Sequence, residues 1–245
     1  MIPSNRKHQT FFQVNGIVAV ITGGRSGLSL YATRALDANG AKAVYIIGRR
    51  EETLKEGAAT GPCKAKGEKP SINDFQDALW QMPAKRVSSI FELNSTATYF
   101  TGVASLFPCK LAQESQIIIN SSGLTFSREP TLSFLFTMSK VGLNHLVKML
   151  SIALATYDHH IRCNAMAPGL YPNHMSKYTG PPSQDDAFAD AYATQSGKFN
   201  PSKRMGSERN FAGVFLFMAS QAGSYMNGQI ITPDGGSLTQ IPATY

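Results

Sequence analysis

Short runs of apolar, mostly β-branched residues recur along the chain and are separated by stretches with helical spacing. The first three runs, at residues 17–21, 43–47 and 116–120, show no alternation between polar and apolar positions. Such continuous runs are typical of strands buried on both faces of a parallel sheet. Two further runs predict strands at 161–167 and 229–232.

Between these runs, apolar residues recur every three or four positions, which predicts helices. The first helix carries Leu28, Ala32, Ala35 and Leu36 along one side and ends at Gly40. Further helices are predicted from residue 83 or 85 to 107, over 136–157, and from a Ser207 cap to 218. The alternation of buried strands and helices predicts an α/β fold, a single Rossmann-like, doubly wound parallel sheet covered on both faces.

The chain length of 245 residues favours one domain. We expect residues 1–14 to form a polar extension and residues 15–245 to form the Rossmann-type domain. Residues 170–206 are polar and rich in Gly, Pro, Ser, Asp and Tyr, and they follow a strand end. A connection of that length and position predicts a substrate lid.

The net charge of +7 comes from Lys and Arg residues that are dispersed along the chain. No basic helix and no interleaving of basic with aromatic residues is present. The pattern therefore favours a phosphorylated small molecule as the anionic partner and argues against nucleic acid.

Other sequence features bear on location and on metal binding. No apolar run reaches the roughly 18 residues of a membrane span, and the N-terminus lacks the apolar core of a secretory signal. Cys63, Cys109 and Cys163 are scattered and odd in number, so we expect reduced thiols in a cytoplasmic protein. His159 and His160 have no further ligands near them in sequence, and no metal site is expected.

A glycine-rich turn follows the first predicted strand and consists of Thr22, Gly23, Gly24, Arg25, Ser26, Gly27 and Leu28. Gly23 and Gly27 allow the backbone to turn tightly and approach a pyrophosphate, and the helix N-terminus that follows favours an anion. Arg25, with Arg49 at the end of the second strand, can bind a 2′-phosphate, and no acid stands there to bind a free 2′-hydroxyl. The turn predicts NADP(H) as cofactor; two solvated arginines are the alternative.

Six segments resemble, in order, the motifs of the short-chain dehydrogenase/reductase family. They are residues 22–29, Asn94 within 92–96, Ser122 at the end of 117–122, Lys140 within 139–144, residues 164–169, and residues 233–236. The resemblance runs from about residue 15 to the C-terminus. The segment 168–172 and the ending 241–245 look most like filamentous-fungal members, many of them in secondary metabolism.

The resemblance implies a role for each matching residue. Asn94 would hold a proton-relay water, Ser122 would steady the substrate oxygen, and Lys140 would bind the cofactor ribose. Pro168 and Gly169 would lie beside the nicotinamide. Taken singly, these are also ordinary buried amides, turn serines and surface lysines, and only their joint order is specific.

Phe136 departs from the family pattern. The family's catalytic tyrosine stands four residues before the lysine, so that both side chains face the same side of one helix. Phe136 occupies that position here and has no proton to give, whereas general acid–base help is worth about 10²–10⁴ in rate. Tyr171 is another phenol in the lid, but nothing in the sequence places it at the site.

A second departure is the short connection over residues 51–75. Compared with the family, one strand–helix–strand unit of ~30 residues is absent. In the family's sheet the lost strand lies between the first strand and the strand at 116–120. We therefore expect a sheet thinned by about two strands, in which the two neighbours either pair directly or leave the fold damaged.

Two functions remain after these departures. The first is an NADP(H)-dependent short-chain dehydrogenase/reductase acting on a carbonyl/alcohol pair of a small metabolite in a fungal secondary-metabolite pathway. The second is a redox-inactive protein on the same scaffold, a pseudoenzyme or cyclisation catalyst, which Phe136 and the gap favour. Besides the small-molecule substrate, we expect further copies of the chain as partners, in a homodimer or homotetramer formed through the helices at 85–107 and 136–157.

Overall fold

The computed structural model describes residues 12–24, 26–47, 71–106, 115–128, 134–157, 160–172, 200–241 and 243. In chain order, the strands and longer helices are β1 Val18–Thr22, α1 Gly27–Ala38, β2 Ala43–Ile47, α2 Ile72–Trp80, α3 Ala84–Phe91, α4 Ala97–Ala104, β3 Ser115–Asn120, α5 Phe134–Thr156, β4 Ile161–Met166, α6 Glu208–Ala219 and β5 Ile230–Ile231. A π-helical turn, Glu92–Thr96, joins α3 to α4, and a 3₁₀ turn, Gly123–Phe126, follows β3.

The strands are parallel, as the sequence predicts, and α1 connects β1 to β2 as a crossover helix. β1 pairs with β2 from Val18 opposite Ala43 to Thr22 opposite Ile47. α1 ends where Gly40 has a φ of +89°, a left-handed conformation that glycine adopts without steric cost. This part of the chain is a βαβ unit.

The second sheet has the order β3-β4-β5 and is also parallel. Ser115 lies opposite Ile161 and Asn120 opposite Met166, so β3 and β4 run side by side over their full length. β4 lies in the middle of this sheet and is almost wholly buried. Its burial is what the sequence analysis expects of a parallel strand covered by helices on both faces.

Two apolar clusters cover the two faces of this second sheet. On one face, α1 and α6 enclose a cluster of Ala32, Met166, Tyr171, Phe211 and Met218. On the other face, α5 covers a second cluster made of Ile119, Leu143, Val147, Cys163 and Ala165. The strands of the second sheet are therefore held between helix layers.

The two sheets do not join within the described part of the chain. There, β1 pairs with β2 alone, and the free edge of β3 faces no strand. Direct pairing of β1 with β3, one of the two expected outcomes, is therefore not observed in these ranges. Ile21 of β1 and Ile118 of β3 nevertheless pack on the same cluster around α1 and α6.

The expectation that β1 and β2 are buried on both faces is wrong. Val18 and Val20 are each 55% exposed, and Tyr45 and Ile47 are 60% and 58% exposed. The physical reason is the split sheet: without a neighbouring strand and the helix that accompanies it, one edge and much of one face of this βαβ unit have no cover among the described residues.

Helix boundaries agree with the sequence patterns to within a few residues. Ser207 caps α6 through a capping box with Asn210, an arrangement that satisfies backbone N–H groups at the helix start. The helix expected to run to 107 is divided into α3, the π turn and α4. Among the helices of the described ranges, none combines the length and the apolar character needed to cross a membrane.

Candidate active site

The turn between β1 and α1 has the geometry of an anion cradle. Gly23 and Gly27 both have positive φ, +71° and +55°, where residues with a Cβ are strained. Gly24 is tightly packed, because a Cβ there would lie 2.9 Å from both Thr33 and Ile46. Ser26 makes no side-chain cap on α1, so the N–H groups of the first turn stay available for a phosphate.

Lys140 of α5 contacts the end of β3. Its Nζ donates a hydrogen bond of 2.9 Å to the carbonyl of Asn120, the last residue of β3. Burial lowers the pKa of Lys140 to about 8, since an apolar environment disfavours the charged amine. A lysine with this pKa is partly neutral near pH 8, which fits a functional amine better than a solvated surface lysine.

Ser122 follows two residues after the carbonyl that Lys140 contacts. Its Oγ accepts a 3.3 Å hydrogen bond from the backbone N–H of Leu124 at the start of the 3₁₀ turn. The hydroxyl proton is therefore free to point to another acceptor, such as a substrate oxygen. The structure brings Ser122 and Lys140 to the same end of β3.

Asn94 lies within the π turn, where an extra residue in the helix re-aims its side chain. Its Nδ2 donates a 3.0 Å hydrogen bond to Oγ of Ser139, the residue beside Lys140. Ser139 is fully buried and donates in turn to the carbonyl of Phe136 at 2.7 Å. Ser95 adds a 2.7 Å bond to the carbonyl of Ser139, so the π turn is anchored to α5 just beside Lys140.

Phe136 lies in the first turn of α5, one helical turn before Lys140, and is partly buried. Its ring brings no acid or base to this position. Tyr171 does not replace it, because its side chain is only 2% exposed and lies in the α1–α6 cluster. Its ring packs edge-to-face against the ring of Phe211, with centroids 5.8 Å apart. Tyr171 is therefore a core residue.

Pro168 and Gly169 follow β4 and lie next to the loop that carries Ser122. The carbonyl of Pro168 accepts a 2.8 Å bond from Gly123, next to Ser122, and the N–H of Gly169 donates to the carbonyl of Pro233. A Cβ at Gly169 would lie 2.7 Å from Cα of Asp234. The segment predicted to lie beside the nicotinamide thus contacts the loop of Ser122 through Pro168 and the 233–236 motif through Gly169.

Some predicted residues lie outside the described ranges. Arg25, Arg49 and His159 do, as do Cys63 and Cys109 and most of the lid, residues 173–199. Cys163 is buried and free, and burial raises its pKa to about 12. Within the described ranges, no three His, Cys, Asp or Glu side chains come together as a metal site.

Four polar residues that make hydrogen bonds around Ser122 and Lys140 were not predicted from the sequence: Ser121, Thr125, Ser139 and Asn144. Ser121, Thr125 and Asn144 form hydrogen bonds between α5 and the loop after β3. Ser139 instead bonds to Asn94 of the π turn and to the carbonyl of Phe136. Ser139 stands next to Lys140 and Asn144 one helical turn after it, in a helix whose other buried residues are Leu143, Val147, Ser151 and Leu154. The sequence signal for Asn144 is its position four residues after Lys140, which puts both on one side of the helix.

Comparisons with known proteins show the family that this chain matches. Residues 69–237 match the family model described as enoyl-(acyl carrier protein) reductase. The short-chain dehydrogenase/reductase PhomF of Diaporthe leptostromiformis is 31% identical, over 96% of this chain and 95% of its own length. VdtF of Byssochlamys spectabilis, a short-chain dehydrogenase/reductase by name, is 26% identical over 96% of this chain and 97% of its own.

The PhomF alignment also shows a difference in length. Since 96% of 245 residues is about 235, some 50 of the 287 aligned positions hold no residue of this chain. The relative is thus longer inside the matched region.

Solved structures show the same fold at lower identity. A gluconate 5-dehydrogenase from Burkholderia cenocepacia, in complex with NADP and tartrate, superposes with a TM-score of 0.72 at 18% identity, covering 96% of this chain and 100% of that chain. The Pseudomonas aeruginosa RhlG/NADP complex gives a TM-score of 0.68 at 20% identity, covering 92% of this chain and 98% of that one.

Proposed function

Because the chain belongs to the short-chain dehydrogenase/reductase family, we propose that it is an NADP(H)-dependent oxidoreductase for a carbonyl/alcohol pair of a small apolar metabolite. We place it in a fungal secondary-metabolite pathway, in keeping with its fungal relatives PhomF and VdtF. The observation that carries the proposal is a set of two contacts: Lys140 bonds to the end of β3, which Ser122 follows, and Asn94 bonds to Ser139 beside Lys140.

The residues present fit a nicotinamide dinucleotide. The positive-φ glycines and uncapped first turn of α1 suit the pyrophosphate, and Lys140 suits the ribose. Pro168 and Gly169 would bound the nicotinamide. The bound cofactor would supply the hydride. Arg25 and Arg49 would select the 2′-phosphate through charge-assisted hydrogen bonds, in keeping with fold neighbours that carry NADP.

The chain's own residues would bind and orient the substrate. Ser122, whose hydroxyl proton is free, would donate to the substrate oxygen. The charged form of Lys140 would stabilise negative charge that develops on that oxygen. Asn94 would keep its family place beside Lys140 through its bond to Ser139. Phe136 would contribute apolar contact and no proton, so we expect slow turnover for carbonyls that need an acid.

We also propose a cytoplasmic homodimer or homotetramer formed through α4 and α5. These helices expose large apolar side chains, among them Phe100 at 63%, Met149 at 57% and Ile152 at 69%. A shallow groove of about 310 Å³ lies between them, lined by Ser95, Thr96, Tyr99, Gly142, Leu143 and Leu146. Exposed apolar area of this extent is typical of an interface.

The test of the proposed function is NADPH oxidation with 9,10-phenanthrenequinone as probe. A quinone takes hydride to form a stabilised oxyanion that is protonated by water, so the reaction does not depend on a tyrosine. We expect turnover by the wild-type chain and its loss, by about 10²-fold or more, in Lys140→Met and Ser122→Ala. Turnover that is absent, or unchanged in both variants, would refute the proposal.

A further inference from the structure

We propose that Asn144 is a positioning residue, whose side-chain amide fixes the loop of Ser122 against α5 and so sets the serine hydroxyl relative to the Lys140 amine. The inference rests on the proposed function, since Ser122 and Lys140 are the groups that bind and stabilise the substrate there. Asn144 is the last residue of the 139–144 motif, and the family resemblance assigns it no role.

Both ends of the Asn144 amide are engaged by the loop after β3. Its Oδ1 accepts a 2.6 Å hydrogen bond from Oγ of Ser121, and its Nδ2 donates at 2.8 Å to Oγ1 of Thr125. Thr125 Oγ1 in turn donates at 2.7 Å to the carbonyl of Ser122. One side chain thus holds both flanks of Ser122.

The loop needs this support because it is not part of a strand or a longer helix. On one side, backbone bonds of Ser121 to Met166 and of Gly123 to Pro168 tie it to β4 and the segment that follows. On the side of α5, Asn144 makes the corresponding contacts. A loop fixed on two sides keeps the Oγ atom of Ser122 in one place, which is what a preorganised site requires, and leaves its proton able to turn toward a substrate oxygen.

Lys140 and Asn144 lie on consecutive turns of α5 and contact consecutive residues at the end of β3. Lys140 reaches the carbonyl of Asn120, and Asn144 reaches the hydroxyl of Ser121. A shift of α5 relative to β3 would therefore displace the amine and the serine loop together. Asparagine suits this position because it offers a donor and an acceptor at once.

The variants that test this are Asn144→Ala, Thr125→Val and Thr125→Ser, with Asn227→Ala as matched control. Asn227 is also an asparagine with both amide ends engaged, by the N–H of Cys163 at 2.9 Å and the carbonyl of Ser151 at 3.2 Å. It supports the other end of α5 and β4 and makes neither of these contacts with the Ser122 loop. Its loss is thus a measure of a purely structural defect.

Two readouts separate positioning from stability. The first is the split between kcat and the KM for NADPH in phenanthrenequinone reduction. The second is the titration of Lys140 followed by NMR of isotope-labelled lysine side chains, which needs no turnover. For Asn144→Ala we expect kcat to fall by about 10- to 100-fold with little change in KM.

We also expect the pKa of Lys140 in Asn144→Ala to rise from about 8 toward its ordinary 10.5 as water reaches the loosened strand end. Thr125→Val should move both readouts in the same direction and Thr125→Ser should restore them. Asn227→Ala should lower the melting temperature and move neither. Unchanged kcat and Lys140 titration in Asn144→Ala, with only a lower melting temperature, would overturn the proposal.

The two proposals fail differently. If the wild-type chain does not reduce the probe, the proposed function fails, and the lysine titration alone decides whether Asn144 positions Lys140. If Asn144→Ala does not fold, the comparison of Thr125→Val with Thr125→Ser decides it, because both retain the Asn144 side chain. Equal titrations of Lys140 in those two variants would then contradict the inference.

Discussion

Among single side chains, Phe136 most limits the proposed chemistry. It lies one helical turn before Lys140, where a phenol could share a proton with the substrate oxygen and the lysine amine. The neighbouring residues keep their contacts: Ser139 bonds to its carbonyl, and Lys140 bonds to Asn120. The hydrogen bonds around Lys140 are therefore in place, and the site lacks the general acid that a tyrosine at position 136 would supply.

Phe136→Tyr is expected to raise the rate of reduction of simple aldehydes and ketones by about 10²–10⁴, because it restores a proton donor one turn from Lys140. The rate is measured as NADPH oxidation under saturating cofactor. Phe134→Tyr, two residues earlier on α5 and off that face, serves as control and should change little. Wild-type turnover already as fast as that of Phe136→Tyr would show that another group supplies the proton.

Lys140 makes folding stability depend on pH in an identifiable window. Burial lowers its folded-state pKa to about 8, below the ordinary 10.5, so between these values the unfolded chain binds more protons than the folded chain. Stability contributed by this group therefore rises from pH 8 toward 10.5 and is lost as the pH falls to 8.

We expect the free energy of unfolding of the wild type, relative to Lys140→Met, to increase between pH 8 and pH 10. Urea titrations at the two values measure it. Lys42→Met, at an exposed lysine, should show no such trend relative to wild type. A difference that stays flat or falls with pH would mean that Lys140 is not desolvated.

At the scale of elements, α4 and α5 carry apolar residues beyond those that cover β3 and β4. Val141, Met149 and Ile152 lie on the outer side of α5 and are 44%, 57% and 69% exposed, while Leu143 and Val147 on its inner side are buried. A helix that is apolar on both sides is typically buried on both sides, so the outer side of α5 is expected to pack against another surface. A two-fold axis between copies would bury that outer side.

Ile152→Glu is expected to shift the wild-type oligomer toward monomer, because a charge in an apolar interface is costly to bury. Sedimentation velocity at micromolar concentration measures the species. Ile72→Glu on α2, equally exposed at 76% and away from α5, should leave the distribution unchanged. A wild-type chain that sediments as a monomer would contradict the proposed assembly.

The elements also show how far sequence patterns predict this molecule. The strands β3 and β4 and the crossover helix α1 follow from their apolar runs, and the start of α6 follows from Ser207. These predictions agree with the structure because helices cover both faces of the second sheet. β1 and β2 have the same apolar runs, yet Val18 and Tyr45 are exposed, since burial depends on a neighbour that the local sequence does not encode. The motif residues Ser122 and Lys140 were predictable, whereas the links through Asn144 and Thr125 depend on tertiary contacts.

At the scale of the whole molecule, the chain is a Rossmann-like fold, and its described residues form two separate parallel sheets. The βαβ unit meets the rest through the packing of α1 on α6 and the cluster around Met166 and Phe211. The central strand of a parallel sheet contributes pairing on two edges and apolar burial on two faces. If the connection over residues 51–75 replaces such a strand, the change in stability would be large against the roughly 5–15 kcal/mol by which small domains are stable.

A chain with a strand–helix–strand unit grafted after Glu56 is therefore expected to melt higher than the natural one, as measured by circular dichroism. Burial of Val18 and Val20 and pairing of the free edges of β1 and β3 supply the gain. A graft of equal length made of Gly and Ser controls for loop length. Equal melting temperatures for the natural and the grafted chain would show that the divided sheet is already a stable arrangement.

The central claim, an NADP(H)-dependent oxidoreductase, is tested most directly by thermal unfolding in the presence of dinucleotides. A ligand at 100 times its Kd stabilises the folded state by about 2.7 kcal/mol, so binding registers without any assumption about substrate. We predict a rise in melting temperature with NADPH, a smaller rise with NADH at the same concentration, and loss of that preference in Arg49→Ala. No rise with either dinucleotide, or an equal or larger rise with NADH, would contradict the account.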